Sequence, residues 1–295
     1  MQNIYKPLSE RTPDTQYRDN LAMILKHGVF VEKTMQGKDA LSCFGTTQKM
    51  VFNLSNGFPL ITGRKLGPRM SIREITAFIN GVRDINEMST KWGCKFWDEY
   101  RGKGTVFGMK PNDLGPGSYG AAFAAYPMPG GKTWNQFEHT VRQLREFPHL
   151  KTIRITPWIP FLTARGKSRK VIVAPCHGDL FFQVVKGKLN MVMVQRSADM
   201  ALGVPNNTVQ YAALLLMLSQ VCNLEPGTFI HDLVDAHIYA DQISHMEEYV
   251  SRKPLPFPSM DVDPSVTDLF AFRAEHFTLK EYEAHPAMPD IPYSP

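Results

Sequence analysis

Thr208-Val-Gln-Tyr-Ala-Ala-Leu-Leu-Leu-Met-Leu-Ser-Gln-Val-Cys222 is apolar on nearly every side. A helix with one solvated face would return to polar residues about every 3.6 positions, so this segment predicts a helix buried on most sides at the centre of a sizeable domain. A chain of 295 residues is long enough to enclose such a helix. Upstream, the β-rich runs Leu180 to Val185 and Leu189 to Arg196 flank Lys186-Gly187-Lys188 and predict a hairpin within a sheet. Lys151 to Pro157 and Val171 to Ala174 also read as strands, and downstream Phe229 to Tyr239 alternates as one strand.

Nearer the N-terminus, Tyr17, Leu21, Ile24, Leu25 and Gly28 fall at helical spacing and predict a helix over 14–28, followed by strand alternation at Met50, Phe52 and Leu54. A helix over 70–83 points Ile72, Ile75 and Ile79 inward, and one over 133–147 does the same with Trp134, Phe137, Val141 and Leu144. The segment 101–131 is dense in Gly and Pro and reads as loops. Pro254, Pro256, Pro258 and Pro264 break the region after the last helix into short strands and connections. Repeats, low-complexity tracts and linkers are absent, so a single domain over 1–295 is expected.

Hydrophobic content of 43% with 21% charged residues is that of a globular protein. No run approaches the roughly 18 consecutive apolar residues of a membrane span. The start, MQNIYKPLSERTPD, lacks the apolar core of a signal peptide, so a cytoplasmic protein is expected. Cys43, Cys94, Cys176 and Cys222 form no CxxC pair and have no His-rich companion, which points away from a disulfide framework and from a metal site. The net charge of +5 suits an anionic partner. Because the basic residues read as scattered, a phosphate-bearing small molecule accounts for them as well as nucleic acid does, and so does a solvated surface.

Ala174-Pro-Cys-His-Gly178 sets Cys176 at a turn, where the proline holds the preceding backbone extended. A lone cysteine is more often a small buried hydrophobe than a nucleophile, and its company changes those odds. Gln195-Arg-Ser-Ala-Asp199 offers an amide, a guanidinium, a hydroxyl and a carboxylate, followed by the turn Leu202-Gly-Val-Pro205. Arg196 can grip a phosphate bidentately with Ser197, and its charge favours the thiolate of a neighbouring cysteine; the plainer reading is an ion pair capping a strand end. Asn206 and Asn207 open the apolar helix, where Asn is a favoured cap, yet an amide also supplies the donor and acceptor that read the O4 and N3–H edge of uracil. Asp235, His237 and Tyr239 alternate along one strand and so share a face, as residues lining a cleft would.

PCH, then QRSxDxxLGxPxN, then DxHxY, at these separations, resembles the thymidylate synthase family. The resemblance covers most of the chain: Phe58-Pro-Leu-Ile-Thr62, Glu74, Phe96-Trp-Asp-Glu-Tyr100, Asp113-Leu-Gly-Pro116 and Tyr119-Gly120 also look like family segments. It implies an α/β fold of the α+β type, a large mixed sheet packed with helices, with a sheet face forming a homodimer interface. It further implies that Cys176 adds to C6 of a pyrimidine nucleoside monophosphate, which makes C5 a carbon nucleophile toward 5,10-methylenetetrahydrofolate. Glu74, Tyr119 and Asn207 complete the implied catalytic set, with Glu74 handling the C5 proton. The nucleotide falls to Lys33, Gln195, Arg196, Ser197, Asp199, Asn207, His237 and Tyr239, with Lys151 and Arg154 reaching a partner's phosphate in trans. The folate falls to Trp97, Tyr100, Asp199, Leu202, Gly203 and Asn206.

Several positions depart from the family. Its trans Arg-Arg is matched by Lys151-Thr152, with Arg154 two residues on, and its Arg-Thr-Gly-Thr-Gly phosphate loop by Lys33-Thr34 and Met35-Gln36-Gly37-Lys38-Asp39. Lysine keeps the charge and loses the bidentate fork. Asn206 stands where thymidylate synthases carry Phe against folate, and the tail His285-Pro-Ala-Met-Pro-Asp-Ile-Pro-Tyr-Ser-Pro295 lacks their apolar ending. A site that admits water gives a hydroxymethyl product in place of a methyl, the chemistry of phage deoxynucleotide hydroxymethylases, which resemble this chain at Lys33-Thr34 and Asn206. Cytosine-specific members carry Asp where Asn207 stands, so a dUMP hydroxymethylase is the leading expectation, acting in a host cytoplasm if phage-encoded. Thymidylate synthase proper, a dCMP or CMP enzyme, and a silent nucleotide- or RNA-binding relative are the alternatives.

Overall fold

The computed structural model describes residues 4–34 and 37–293. Its principal helices are α1 (Gln16–His27), α2 (Arg69–Ile79), α3 (Tyr119–Ala124), α4 (Gln136–Glu146), α5 (Gly203–Val221) and α6 (Ile243–Ser251), with further short helices at Ile85–Thr90 and Pro160–Thr163. The strands that build the two larger sheets are β1 (Val29–Val31), β2 (Ala40–Phe44), β3 (Met50–Asn53), β4 (Arg154–Ile155), β5 (Asp179–Val185), β6 (Lys188–Gln195), β7 (Ala198–Asp199), β8 (Glu225–Leu233) and β9 (Asp235–Tyr239).

The predicted hairpin is β5–β6. Lys186 (φ 49°) and Gly187 (φ 76°) both adopt left-handed backbone, the pair whose twist matches the flanking strands. The hairpin sits in a five-stranded mixed sheet of order β3-β8-β6-β5-β4, in which β8 runs parallel to β6 and antiparallel to β3. Alternation sorts its two faces. Phe52, Phe229, Met191 and Phe182 are cross-strand neighbours on the buried face, and α5 packs against β6 and β8 there. Val51, Ile230, Val192 and Phe181 form the matching row on the open face. The second sheet has the order β1-β2-β9-β7 and carries Asp235, His237 and Tyr239.

α5 is buried as its composition requires, but it begins at Gly203, so Asn206 and Asn207 lie inside its first turns and cap nothing. The strand expected over Phe229 to Tyr239 is two strands in different sheets. Val234 breaks it, donating its N–H to the Gln195 carbonyl and accepting from Gly45 N–H, so the chain crosses from one sheet to the other. Only Arg154–Ile155 pairs within 151–157. Val171 to Ala174 forms no strand, because the Arg169 guanidinium takes the Val171 and Ile172 carbonyls at 3.2 and 2.8 Å in place of a ladder. α4 starts at Gln136, capped by Asn135, which leaves Trp134 41% exposed on a short strand and not inward. The Gly- and Pro-rich stretch contains α3, a helix the loop reading passed over. Among the described residues, no helix is long and apolar enough to cross a membrane.

Candidate active site

A cavity of about 660 Å³ opens where the Cys176 turn, the end of β6 and the face of β9 meet. Cys176, Arg196 and Ser197 form one wall, with Asp235, His237 and Tyr239 from β9 opposite them. Cys43, Cys94 and Cys222 are buried, whereas Cys176 is half-buried. Its sulfur lies 3.5 Å from Arg196 Nη2. The guanidinium is anchored by the Pro175 carbonyl (2.8 Å) and the Ala174 carbonyl (2.9 Å), and the Arg196 N–H donates to the Cys176 carbonyl at 2.8 Å. Arg196 therefore shapes the turn as well as charging it. Burial pushes the Cys176 thiol up, and Arg196 pulls against that rise without reversing it. The thiol is the resting form, and the Arg196 guanidinium is placed to stabilise negative charge on the sulfur.

The Cys176 N–H donates to the Tyr119 hydroxyl at 2.7 Å. That ring is stacked between Phe78 (centroids 4.8 Å apart) and His177 (4.5 Å), so its oxygen has little freedom. Burial holds the Tyr119 phenol neutral, with its own O–H left to donate. His177 Nδ1 meets the Tyr211 hydroxyl at 2.8 Å, and burial pushes the ring down to about 3, so it is neutral. His177 was quoted in the cysteine motif with no role; it supports Tyr119.

Glu74 and Asn207 lie one layer behind the cavity wall. Glu74 on α2 accepts from Trp97 Nε1 at 2.6 Å and from Gln210 Nε2, and burial pushes its carboxyl up to about 7 against both donors. A carboxyl poised near neutrality takes up and releases a proton readily. Asn207 Oδ1 accepts from Gln195 Nε2 at 3.1 Å while Asn207 Nδ2 donates to Gln210 Oε1 at 2.9 Å. Gln195 also donates to the Ser197 carbonyl at 3.0 Å, which ties this layer to the cavity wall. A half-buried thiol on the wall thus has a near-neutral carboxyl and a doubly bonded amide in the layer behind it.

The sequence model of the thymidylate synthase family matches residues 15–291. The chain belongs to the thymidylate synthase family. Folate-dependent one-carbon transfer to a pyrimidine nucleotide is the activity that membership implies, with methylenetetrahydrofolate as the donor.

The residues expected to hold that folate fit it. Trp97 and Tyr100 face each other with ring centroids 5.5 Å apart, and Asp199 is a carboxylate whose pKa burial raises. Aromatic surface suits a flat heterocycle, and a half-buried carboxylate suits its N–H groups. Asp199 Oδ1 also accepts from Ala201 N–H (3.0 Å) and Leu202 N–H (3.3 Å), fixing the turn into Gly203. Asn206, in the family's Phe position, accepts from Ser71 Oγ and donates to the Leu202 carbonyl, both at 2.8 Å. On β9, Asp235 accepts from Ser42 at 2.6 Å and lies 3.8 Å from His237 Nδ1.

The basic side chains around this cavity include two that the sequence reading did not single out. Lys33 donates its backbone N–H to Asp39, and Thr34 beside it lines the cavity; Met35 and Gln36 of the same loop lie outside the described residues. Lys151 and Arg154, expected to serve a partner's site, lie off this cavity, where Arg154 pairs with Asp179 at 3.4 Å and covers Phe181 at 4.8 Å on the open sheet face. Arg165 and Arg169 line it instead, from the same chain as Cys176. Their signal is the basic run Arg165-Gly-Lys-Ser-Arg-Lys170, which a reading of scattered charge passed over. Gln210 and His231 were also missed.

The tail, expected to lack the family's apolar ending, packs apolar side chains of its own. Met288 and Ile291 are buried, Gln242 Nε2 donates to the Pro292 carbonyl at 3.0 Å, and Lys38 Nζ reaches the Tyr293 carbonyl at 3.3 Å. The Tyr293 phenol bonds Tyr100 and Glu99 at the folate side of the site. Ser294 and Pro295 lie outside the described residues.

Proposed function

We propose that this member converts dUMP, water and 5,10-methylenetetrahydrofolate to 5-hydroxymethyl-dUMP and tetrahydrofolate. The observation that carries the C6 attack is the Cys176 sulfur 3.5 Å from Arg196 in a cavity also walled by Ser197, His237 and Tyr239. Sulfur bonds to C6, its proton leaves, and the electron pair of the C5–C6 double bond becomes available at C5. The folate, when bound, supplies a one-carbon unit that C5 attacks. Glu74 then takes the C5 proton through Tyr119 and water, leaving an exocyclic methylene as tetrahydrofolate departs. Water adds to that methylene, and expulsion of the Cys176 thiolate restores the C5–C6 double bond. Arg196 and Ser197 bind the phosphate with Arg165 beside them, Asn207 reads the base, and His237 and Tyr239 hold the sugar.

The hydroxymethyl outcome is supported by Asn206, a polar amide in the place of an apolar ring, beside the start of α5. Mass spectrometry of the product tests it: an added mass of CH2O without dihydrofolate is expected, and a methyl product with dihydrofolate overturns it. Thymidylate synthase proper is the second reading, favoured by the docked tail with Met288 and Ile291 buried.

The working unit in this proposal is a homodimer joined through the open face of the five-stranded sheet. The row Val51, Ile230, Val192 and Phe181 supports it, since a contiguous row of exposed and half-buried apolar side chains favours a partner. Arg154 lies on that face over Phe181 and, with Lys151, would serve the partner's site. Sedimentation of wild type and Phe181→Glu checks this, with a dimer and a weakened dimer expected.

A further inference from the structure

Thr208, His231, Gln195, Asn207, Gln210 and Glu74 form one unbroken run of side-chain hydrogen bonds. Heavy-atom positions alone do not distinguish an amide oxygen from its nitrogen, but a fixed acceptor beside this run does. Gln195 approaches the Ser197 carbonyl at 3.0 Å and Asn207 at 3.1 Å through the same atom. A carbonyl oxygen only accepts, so that atom is the NH2 group. Gln195 Oε1 consequently accepts from His231 Nε2–H at 2.8 Å. His231 is fully buried and neutral, so its Nδ1 carries no proton and meets the Thr208 hydroxyl at 3.0 Å, whose proton is shared with the Val204 carbonyl at 2.8 Å. With Asn207 Nδ2 turned toward it, Gln210 presents its Oε1 to Asn207 and hence its NH2 to Glu74. All the donors then point toward Glu74. Turning any single amide over sets like against like at both of its neighbours.

We infer that Gln210 is a positioning residue for base selection, locking the Asn207 amide in the orientation that complements uracil and opposes cytosine. The inference rests on the reading that Asn207 meets the base. Asn207 spends one lone pair on Gln195 and one N–H on Gln210, which leaves one acceptor site and one donor site open. Uracil offers N3–H to the first and O4 to the second. Cytosine presents the reverse, an acceptor at N3 and a donor at N4, and would need the amide turned by half a revolution. That turn breaks the bonds to Gln195 and Gln210 together, and the Ser197 carbonyl prevents Gln195 from following. Selectivity thereby resides in how the amide is held.

The test measures the dissociation constants of dUMP and dCMP by calorimetry, which requires no turnover, on protein shown folded by thermal melting. In Gln210→Met, similar in length but without an amide, the preference for dUMP over dCMP is expected to fall about 10-fold, as a lost buried hydrogen-bond pair implies. Gln210→Glu keeps an acceptor for Asn207 and should preserve the preference. By placing a second carboxyl against Glu74, it should also move the acid limb of C5 tritium release to higher pH. The titratable groups facing Glu74 are Cys94 and Tyr211, both held neutral by burial, so that limb reports Glu74. His231→Phe, which removes the donor at the other end, should lower the preference as Gln210→Met does. A preference unchanged in both Gln210→Met and His231→Phe overturns the inference. Failure of the underlying reading shows separately, as no tritium release from C5 of dUMP by the wild-type protein.

Discussion

Cys176 stands on a turn at the cavity wall, its sulfur exposed to whatever fills the cavity, and one guanidinium holds the surrounding carbonyls. Glu74 stands on α2 one layer deeper, with each oxygen bonded to a fixed donor and its carboxyl pushed up to about 7. Cys176 thus depends on access and on a single neighbour, while Glu74 depends on packing. Changes at the wall should act on chemistry with little effect on the fold, and changes behind it should act on both.

Removing the sulfur tests the first half of that contrast most severely. Cys176→Ser should lower tritium release from C5 by about 10⁴-fold or more, as loss of a covalent nucleophile does, while dUMP binding by calorimetry stays within a few-fold of wild type. Unchanged turnover would remove Cys176 from the mechanism. Glu74→Gln should cost about 10² to 10⁴-fold, the range of a lost general base, with dUMP still bound.

The pH dependence sharpens the second half. Glu74 acts ionised, so the rate should be half-maximal near pH 7 and fall about tenfold per pH unit below it. Stability runs the other way. The native state binds this proton more tightly than the unfolded chain does, so the contribution of Glu74 to stability is fully present below about pH 4.5 and is lost as pH rises toward 7. Glu74→Gln should therefore gain melting temperature relative to wild type at pH 8 compared with pH 5. Equal differences at the two pH values would show that Glu74 does not titrate in this range.

The smallest expected effect is at the cavity rim. Arg165 lines the cavity and, among the described residues, has no hydrogen bond or ion pair, unlike Arg169 and Arg196. Arg165→Ala should raise KM for dUMP about 5-fold with kcat and melting temperature unchanged, the loss of one exposed charge-assisted contact. An unaltered KM would assign the phosphate wholly to Arg196, Ser197 and groups supplied in trans.

The sequence exposes the wall more readily than the layer behind it. The Cys176 turn, the Arg196 segment and the β9 face are local patterns, and periodicity locates α1, α2, α5 and the β5–β6 hairpin. Val171 to Ala174 misleads because its β-branched residues favour a strand while Arg169, from outside the run, takes the carbonyls. The break at Val234 depends on two backbone partners far away in sequence. Gln210 sits in an apolar helix and His231 in an alternating strand, and only the packing of α5 on β8 and α2 gives either a partner. Arg165 and Arg169 resemble any solvated basic loop until the cavity places them.

α5 carries Asn207 and Gln210 on a rod enclosed by the core along almost its whole length. A loop-borne recognition group can drift as a lineage diverges, with the scaffold indifferent to it. Here a methyl group gained or lost at Leu214 or Leu218 shifts the same rod that aims the amide. Selectivity in this fold is therefore inherited with the core: variants that soften the helix should become less discriminating before they unfold, and fidelity and heat resistance should rise together.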